Sequence, residues 1–270
     1  MIVLLSANVL NVVVELVLVF GFDLGVAGSA WSTVIAQIAS GAAFVILLRR
    51  QFAHVAARWP NWSAMRPLVD AGRHLLVRSG AMLVVLVGAT SLASRTDEPT
   101  LAAHQVAVSL LTFLALVLDA PAIAAQNLVA DQLGRDDRAG AAHVARRVVR
   151  VTLAAAAGLA VLIAVSSPWL PRAFTGDGAV VSRATVALVM LALLLLPAAA
   201  AYALDGVLIG AADYRYLGRA ALAMLVVLIP AGIVVSVADL GIVGIWSILA
   251  LWMLLRATVN TRRARQILDG

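Results

Sequence analysis

Three carboxylates, Glu15, Asp119 and Asp205, fall inside strongly apolar stretches of the 270-residue chain. A carboxylate at the centre of a bilayer costs about 2.5–3.5 kcal/mol on insertion scales, so it faces a protein interior or a cavity. Burial also raises a carboxylate's pKa toward physiological pH. A group poised there can exchange a proton for another cation as access alternates between the two sides of a membrane. The plainer role, hydrogen bonding to a neighbouring helix, stays open for each of the three. Asp205 is the sole formal charge between Ala184 and Ala212. Tyr202 lies three residues before it, so the two share a helix face and can line one pocket. Pro197 and the Ala198–Ala201 run predict a bent, closely packed helix around that pocket. Asp119 stands two residues before Pro121, whose kink frees a carbonyl that needs a partner. Asp205, Asp119, Glu15 and Tyr202 are therefore the candidate ion-coupling or substrate-binding residues.

The elements that must position them follow from hydropathy. Hydrophobic residues make up 63% of the chain and charged residues 13%, against roughly 45–50% and about 25% in soluble domains. A hydrocarbon core needs roughly 20 apolar residues of helix, and runs of that kind fall near 2–20, 27–48, 72–94, 101–129, 144–167, 180–211, 217–237 and 241–259. The first carries Glu15 and has no basic leader, so it reads as a span and not as a signal peptide. All 20 basic residues are Arg, and they cluster between spans. With residues near span ends counted to their nearer side, all but Arg95, Arg172 and Arg183 fall on one face. The positive-inside rule makes that face cytoplasmic, which places both termini in the cytoplasm and the chain in the plasma (cytoplasmic) membrane as a multi-pass protein. Counting in this way leaves no Arg clearly central to a span.

Other chemistry is not indicated. The chain has no Cys, hence no disulfide framework and no thiolate metal site. His54, His74 and His143 lack ligand spacing, and His104-Gln105 reads as contact between helices. No phosphate-cradling glycine loop and no nucleophile–base–acid set occurs, so neither an enzyme nor a cofactor is expected. The Arg clusters suit topology and anionic membrane lipids better than nucleic acid.

A repeat is visible. Leu24-Gly25-Val26-Ala27-Gly28 and Leu240-Gly241-Ile242-Val243-Gly244 lie 216 residues apart; each follows an Asp and each is soon followed by Trp-Ser. The interval spans six helices, which predicts one complete six-helix bundle preceded by the last two helices of a parallel pseudo-repeat. The position equivalent to Glu15 is Ala231, so the fold itself asks for no acid there. The expected architecture is an all-α polytopic membrane protein of about eight transmembrane helices. Residues 1–48 are the end of one bundle, 49–71 a cytoplasmic connection, 72–259 the six-helix bundle and 260–270 a cytoplasmic tail.

Several segments, in order along the chain, resemble the multidrug and toxic compound extrusion (MATE) transporters, in particular their DinF-like branch. They are Asn8-Val9-Leu10-Asn11 with Glu15; the first glycine motif with Thr33-Val34-Ile35-Ala36-Gln37; and Leu101-Ala102-Ala103-His104-Gln105-Val106. Leu118-Asp119-Ala120 with Ala122-Ile123-Ala124-Ala125-Gln126 follows, then Leu204-Asp205-Gly206-Val207-Leu208-Ile209-Gly210 with Asp213. The resemblance implies twelve helices in two bundles, of which this chain matches the fifth to the twelfth. It lacks the first four, which in that branch carry a proton-linked Asp, and it places Pro121 where the family more often has another residue. The implied activity is secondary-active efflux of small amphipathic or cationic xenobiotics, coupled to H⁺ or Na⁺. Sodium use in the family involves further acids in the second bundle, and 72–94 offers none, which favours protons. A lipid-linked saccharide flippase, and a non-transporting remnant or split subunit, are the alternatives. The exporter reading predicts about four more hydrophobic helices, with an acid in the first, encoded in frame upstream of Met1. A stop codon close upstream supports the remnant or split subunit instead.

Overall fold

The computed structural model describes residues 2–52 and 61–268; His54 and Arg58 lie outside the described residues. Eight α-helices follow one another: α1 (Ile2–Leu16), α2 (Gly25–Gln51), α3 (Trp62–Thr96), α4 (Glu98–Gly134), α5 (Arg138–Ser166), α6 (Gly178–Gly210), α7 (Tyr214–Val237) and α8 (Gly241–Leu268). A π-helical turn, Val17–Gly21, continues α1, and a 3-10 turn, Leu170–Ala173, precedes α6. No strand occurs among the described residues.

Seven helices, α2 to α8, are long and apolar enough to cross a membrane. The first expected span is shorter: its apolar stretch is Leu5–Gly21, and it changes to π winding at Val17. The later helices outrun the spans. Residues 62–71 already belong to α3, and residues 260–268 are the last turns of α8. Hydropathy marks the length the hydrocarbon core requires, and a helix need not stop where that core stops.

The chain forms two compact units, Met1–Asn61 and Trp62–Gly270. The first holds α1 and α2 packed on each other; in the second, α6 packs on α4, α5 and α8, and α3 packs chiefly on α7. The residues of α6 explain its central place. It is apolar around its circumference, and such a helix is stable when it is surrounded. Leu188, Leu191, Leu195, Ala198 and Leu208 on it are fully buried.

Main chain meets main chain between α4 and α6. A Cβ added at Gly206 would stand 2.1 Å from the Ala122 carbonyl oxygen, and one at Gly210 2.5 Å from that of Gln126. Glycines four apart share a helix face, and their small size lets the partner helix approach this closely.

Aspartates start three of the helices. Asp97 accepts a hydrogen bond from the Thr100 N–H at 2.8 Å, Asp137 from Gly140 at 2.8 Å, and Asp177 from Ala179 at 2.7 Å, which satisfies amides that the first turn leaves free. Arg183 of α6 pairs with Asp97 and reaches the Thr100 hydroxyl at 3.1 Å. The hydrogen bonds from Thr100, aided by the Arg183 charge, hold the Asp97 carboxyl below its usual pKa.

The two glycine motifs have one geometry. Asp23 and Gly25 have φ of 54° and 50°, Asp239 and Gly241 of 48° and 54°. Glycine adopts this left-handed conformation freely and Asp tolerates it. In each corner the Leu amide turns back to the preceding helix end, Leu24 to the Leu18 carbonyl at 3.1 Å and Leu240 to that of Val235 at 3.2 Å. The second glycine abuts the same end: a Cβ at Gly28 would lie 3.0 Å from the Leu18 main chain, and one at Gly244 2.8 Å from the Val235 side chain. The sequence repeat is thus also a backbone repeat.

Gly206→Ala is expected to destabilise the second unit by about 1–3 kcal/mol through overpacking, read as a lower thermal midpoint in detergent. Gly158→Ala, with nothing within 4 Å of the added methyl, should leave the midpoint unchanged or slightly higher. Equal effects at the two positions would refute a main-chain seam between α4 and α6.

Candidate functional site

Asp205 lies near the end of α6, one turn beyond Tyr202, and is 4% exposed. Its Oδ2 is shared by two guanidinium groups, Arg78 from α3 and Arg256 from α8, the latter at 2.5 Å. Its Oδ1 accepts a hydrogen bond from Asn260 Nδ2 at 2.6 Å. The Arg256 guanidinium carbon sits 5.3 Å from the Tyr202 ring centre and 5.0 Å from that of Trp252, within the range where an aromatic face attracts a cation. Trp252, Arg256 and Asn260 recur at every fourth residue, so α8 presents all three on one face. Three helices therefore converge on one carboxylate.

Removing ions from water costs several kcal/mol each, and a buried pair holds when its geometry and further hydrogen bonds offset that cost. Both oxygens of Asp205 are occupied here, and Arg256 gains two aromatic faces. A cavity of about 20 Å³, room for one water-sized group, is bounded on its polar side by Arg78, Asp205, Arg256 and Asn260.

The other candidates separate. Asp119 on α4 is half-buried, within electrostatic reach of Arg78, Asp205 and Arg256, and it makes no hydrogen bond or ion pair among the described residues. Tyr202 does not line the cavity with Asp205; it serves as a face for Arg256. Glu15 belongs to the other compact unit, where the Ser29 hydroxyl donates to its Oε1 at 2.7 Å. That contact between α1 and α2 is the plainer of its two expected roles.

The sequence was expected to hold no Arg clearly central to a span, and the structure adds two arginines that turn inward. Arg78 and Arg256 are both within spanning helices, and Arg256 is 5% exposed. They were assigned to the membrane surface because each lies a few residues from the end of an apolar run. The signal that could have found Arg256 is the four-residue spacing of Trp252, Arg256 and Asn260. Arg78 has no comparable signature.

His104 is buried on α4, its Nε2 3.2 Å from the Thr90 hydroxyl and its ring edge-on to Trp246 at 6.0 Å, in keeping with the expected contact between helices. Two further ion pairs tie the Arg-rich end of the second unit. Arg215 of α7 bonds Asp70 of α3 at 2.8 Å, and Arg263 of α8 bonds Asp213, before α7, at 2.6 Å while lying over the Tyr216 ring.

Fold and cluster together define a multi-span helical membrane protein with a charged site inside one helix bundle. The MatE family model matches residues 80–237, and the chain belongs to that family. Among curated relatives, protein DETOXIFICATION 44, chloroplastic, of Arabidopsis thaliana is 31% identical over 262 residues, covering 96% of this chain and 49% of the relative. DNA damage-inducible protein F of Escherichia coli strain K12 is 29% identical over 130 residues, 46% of this chain and 28% of that protein. The chain spans about half the length of the full-coverage relative, 49%. Among solved structures, a MATE protein in its straight conformation superposes with a TM-score of 0.85 at 16% identity, over 99% of this chain and 62% of that one. A MOP superfamily transporter from Pyrococcus furiosus gives 0.86 at 15% identity over the same shares, 99% and 62%. The fold of this chain is the MATE transporter fold.

Asp205→Asn leaves two guanidinium groups without their shared counter-charge and is expected to lower stability by about 3–5 kcal/mol. Chemical denaturation in detergent checks this. Adding Arg256→Gln should recover part of the loss, because one of the stranded charges goes with it. A single variant as stable as the wild type would contradict the shared ion pair.

Proposed function

We propose that the whole protein to which this chain corresponds is a secondary-active exporter that exchanges small amphipathic or cationic compounds for inward-moving H⁺ or Na⁺. The chain supplies residues 1–48 as the last two helices of the first bundle, 49–71 as the connection, and 72–259 as the second bundle with a tail at 260–270. The Arg-rich ends, and with them both termini, face the cytoplasm of a plasma membrane whose anionic lipids they contact. A first bundle of further helices completes the molecule. Family membership supports the transport class; the coupling role rests on Asp119.

Asp119 carries the reading because its carboxylate lies within electrostatic reach of Arg78, Asp205 and Arg256 and makes no hydrogen bond or ion pair among the described residues. Asp205 has both oxygens engaged by Arg78, Arg256 and Asn260, so a proton or metal cation would have to displace a guanidinium or the Asn260 amide. Asp119 is half-buried and within electrostatic reach of that cluster, and an incoming cation would meet a carboxylate that makes no hydrogen bond or ion pair among the described residues. Coupling is therefore assigned to Asp119, and Asp205 is read as the anchor of the site.

Arg78, half-buried, and Arg256, buried, also favour a second reading, the lipid-linked saccharide flippase, whose substrate carries phosphate and asks for a basic interior. Translocation of a labelled lipid-linked saccharide by proteoliposomes, without an ion gradient, would support it over the exporter.

In the full-length protein, Asp119→Asn should abolish substrate-stimulated proton or sodium flux in proteoliposomes and leave the thermal midpoint within a few degrees of wild type. Flux at the wild-type rate in this variant would remove Asp119 from the coupling mechanism.

A further inference from the structure

We propose that the second unit contains a head-and-tail site for an amphipathic carboxylate, with its head on Arg78 and Arg256 and its chain in the groove between α3 and α7. Asp119 is not among the residues that line this pocket, and the proposal does not depend on the exporter reading.

The head end is a built anion pocket. Two guanidinium groups share one carboxylate oxygen of Asp205, leaving one positive charge more than that residue balances. Each guanidinium has five N–H donors, and the described hydrogen bonds use one on Arg78 and two on Arg256. Both side chains border the cavity of about 20 Å³. That volume admits a carboxylate oxygen and excludes a bulky head. Asp205 already shows how this donor set holds a carboxylate.

The tail end is an apolar groove of about 390 Å³ that has Val85 as a lining residue in common with the pocket. Along α3, Arg78, Met82 and Val85 border the pocket, and Val85, Ala89 and Leu92 border the groove. The alternating spacing of four and three keeps all five on one helix face. Seven residues of helix separate Arg78 from Val85, about 10 Å along the axis. On α7, Met224 borders the pocket, and Leu228 and Gly232 the groove. Gly88 and Gly232 present no side chains there; a methyl at Gly232 would already come 3.7 Å from Leu92. An apolar groove next to two guanidinium groups that share the single charge of Asp205 is complementary to a molecule with one anionic end and a slender hydrocarbon body. A cationic amphiphile meets the wrong charge, and a phospholipid brings a head too large for the pocket.

The test is equilibrium dialysis of radiolabelled laurate against the full chain in phosphatidylcholine nanodiscs, with empty discs as background. Saturable binding is expected, unaffected by dodecyltrimethylammonium. Arg78→Gln should weaken it about tenfold or more through loss of a charged hydrogen-bond donor, and Gly232→Leu should do the same by filling the groove. Gly232→Leu leaves the ion pairs intact, so it keeps the proposal testable where Arg78→Gln fails to fold. Wild-type affinity in Gly232→Leu would overturn the proposal, as would equal competition by dodecyltrimethylammonium. Displacement of laurate by phosphatidylglycerol in the discs would assign the site to a lipid phosphate and overturn it as well. Binding is read without transport, so a protein that binds laurate and moves nothing would leave this site standing while the exporter reading fell.

Discussion

One carboxylate oxygen shared by two guanidinium groups holds the second unit in its arrangement. Asp205 comes from α6, Arg78 from α3 and Arg256 from α8, so the pair joins the central helix to two others. In a membrane there is little hydrophobic drive to bring helices together, and packing and polar contacts take over that role. An ionic contact there has a steep penalty for failure, because a lone charge cannot turn to water. The same contact therefore fixes which helices are neighbours and where the cavity lies.

The three acids differ in their partners. From the chain alone, Asp205 is the most isolated charge in the longest apolar run and so the strongest candidate for ion exchange. Within the fold it is the best-partnered acid of the three, whereas Asp119, within electrostatic reach of it, makes no hydrogen bond or ion pair among the described residues. Isolation along a sequence does not measure isolation in space. The partners of Asp205 sit 127 and 51 residues away in the chain.

Much of the architecture was legible because the bilayer constrains it so tightly. Apolar runs gave the helices, and the Leu-Gly-x-x-Gly corners gave the repeat, since the left-handed φ at Gly25 and Gly241 demands the residue that marks it. The π turn at Val17–Gly21 was not legible, because nothing in Val-Leu-Val-Phe-Gly separates π from α winding. Helices run past the spans where polar turns extend beyond the apolar core, as at Trp62 and Leu268. The acids and Tyr202 were found by type. The arginines were missed because a count of topology places any Arg near a span end at the surface, whereas a long side chain can point inward and meet a buried acid.

The close approach of α4 and α6 bears on how the second unit can move. Where Gly206 meets Ala122 and Gly210 meets Gln126, the contact is backbone against backbone. Such a seam has no rotamers to re-sort, so it cannot creep by small side-chain steps. The two helices travel as one rigid body or the seam opens entirely. On the opposite flank, α3 and α7 meet through aliphatic side chains around a groove with glycine on both walls, and these surfaces can slide and repack. The unit thus has a stiff spine and a compliant flank, and the pocket formed by Arg78 and Arg256 lies where the two meet.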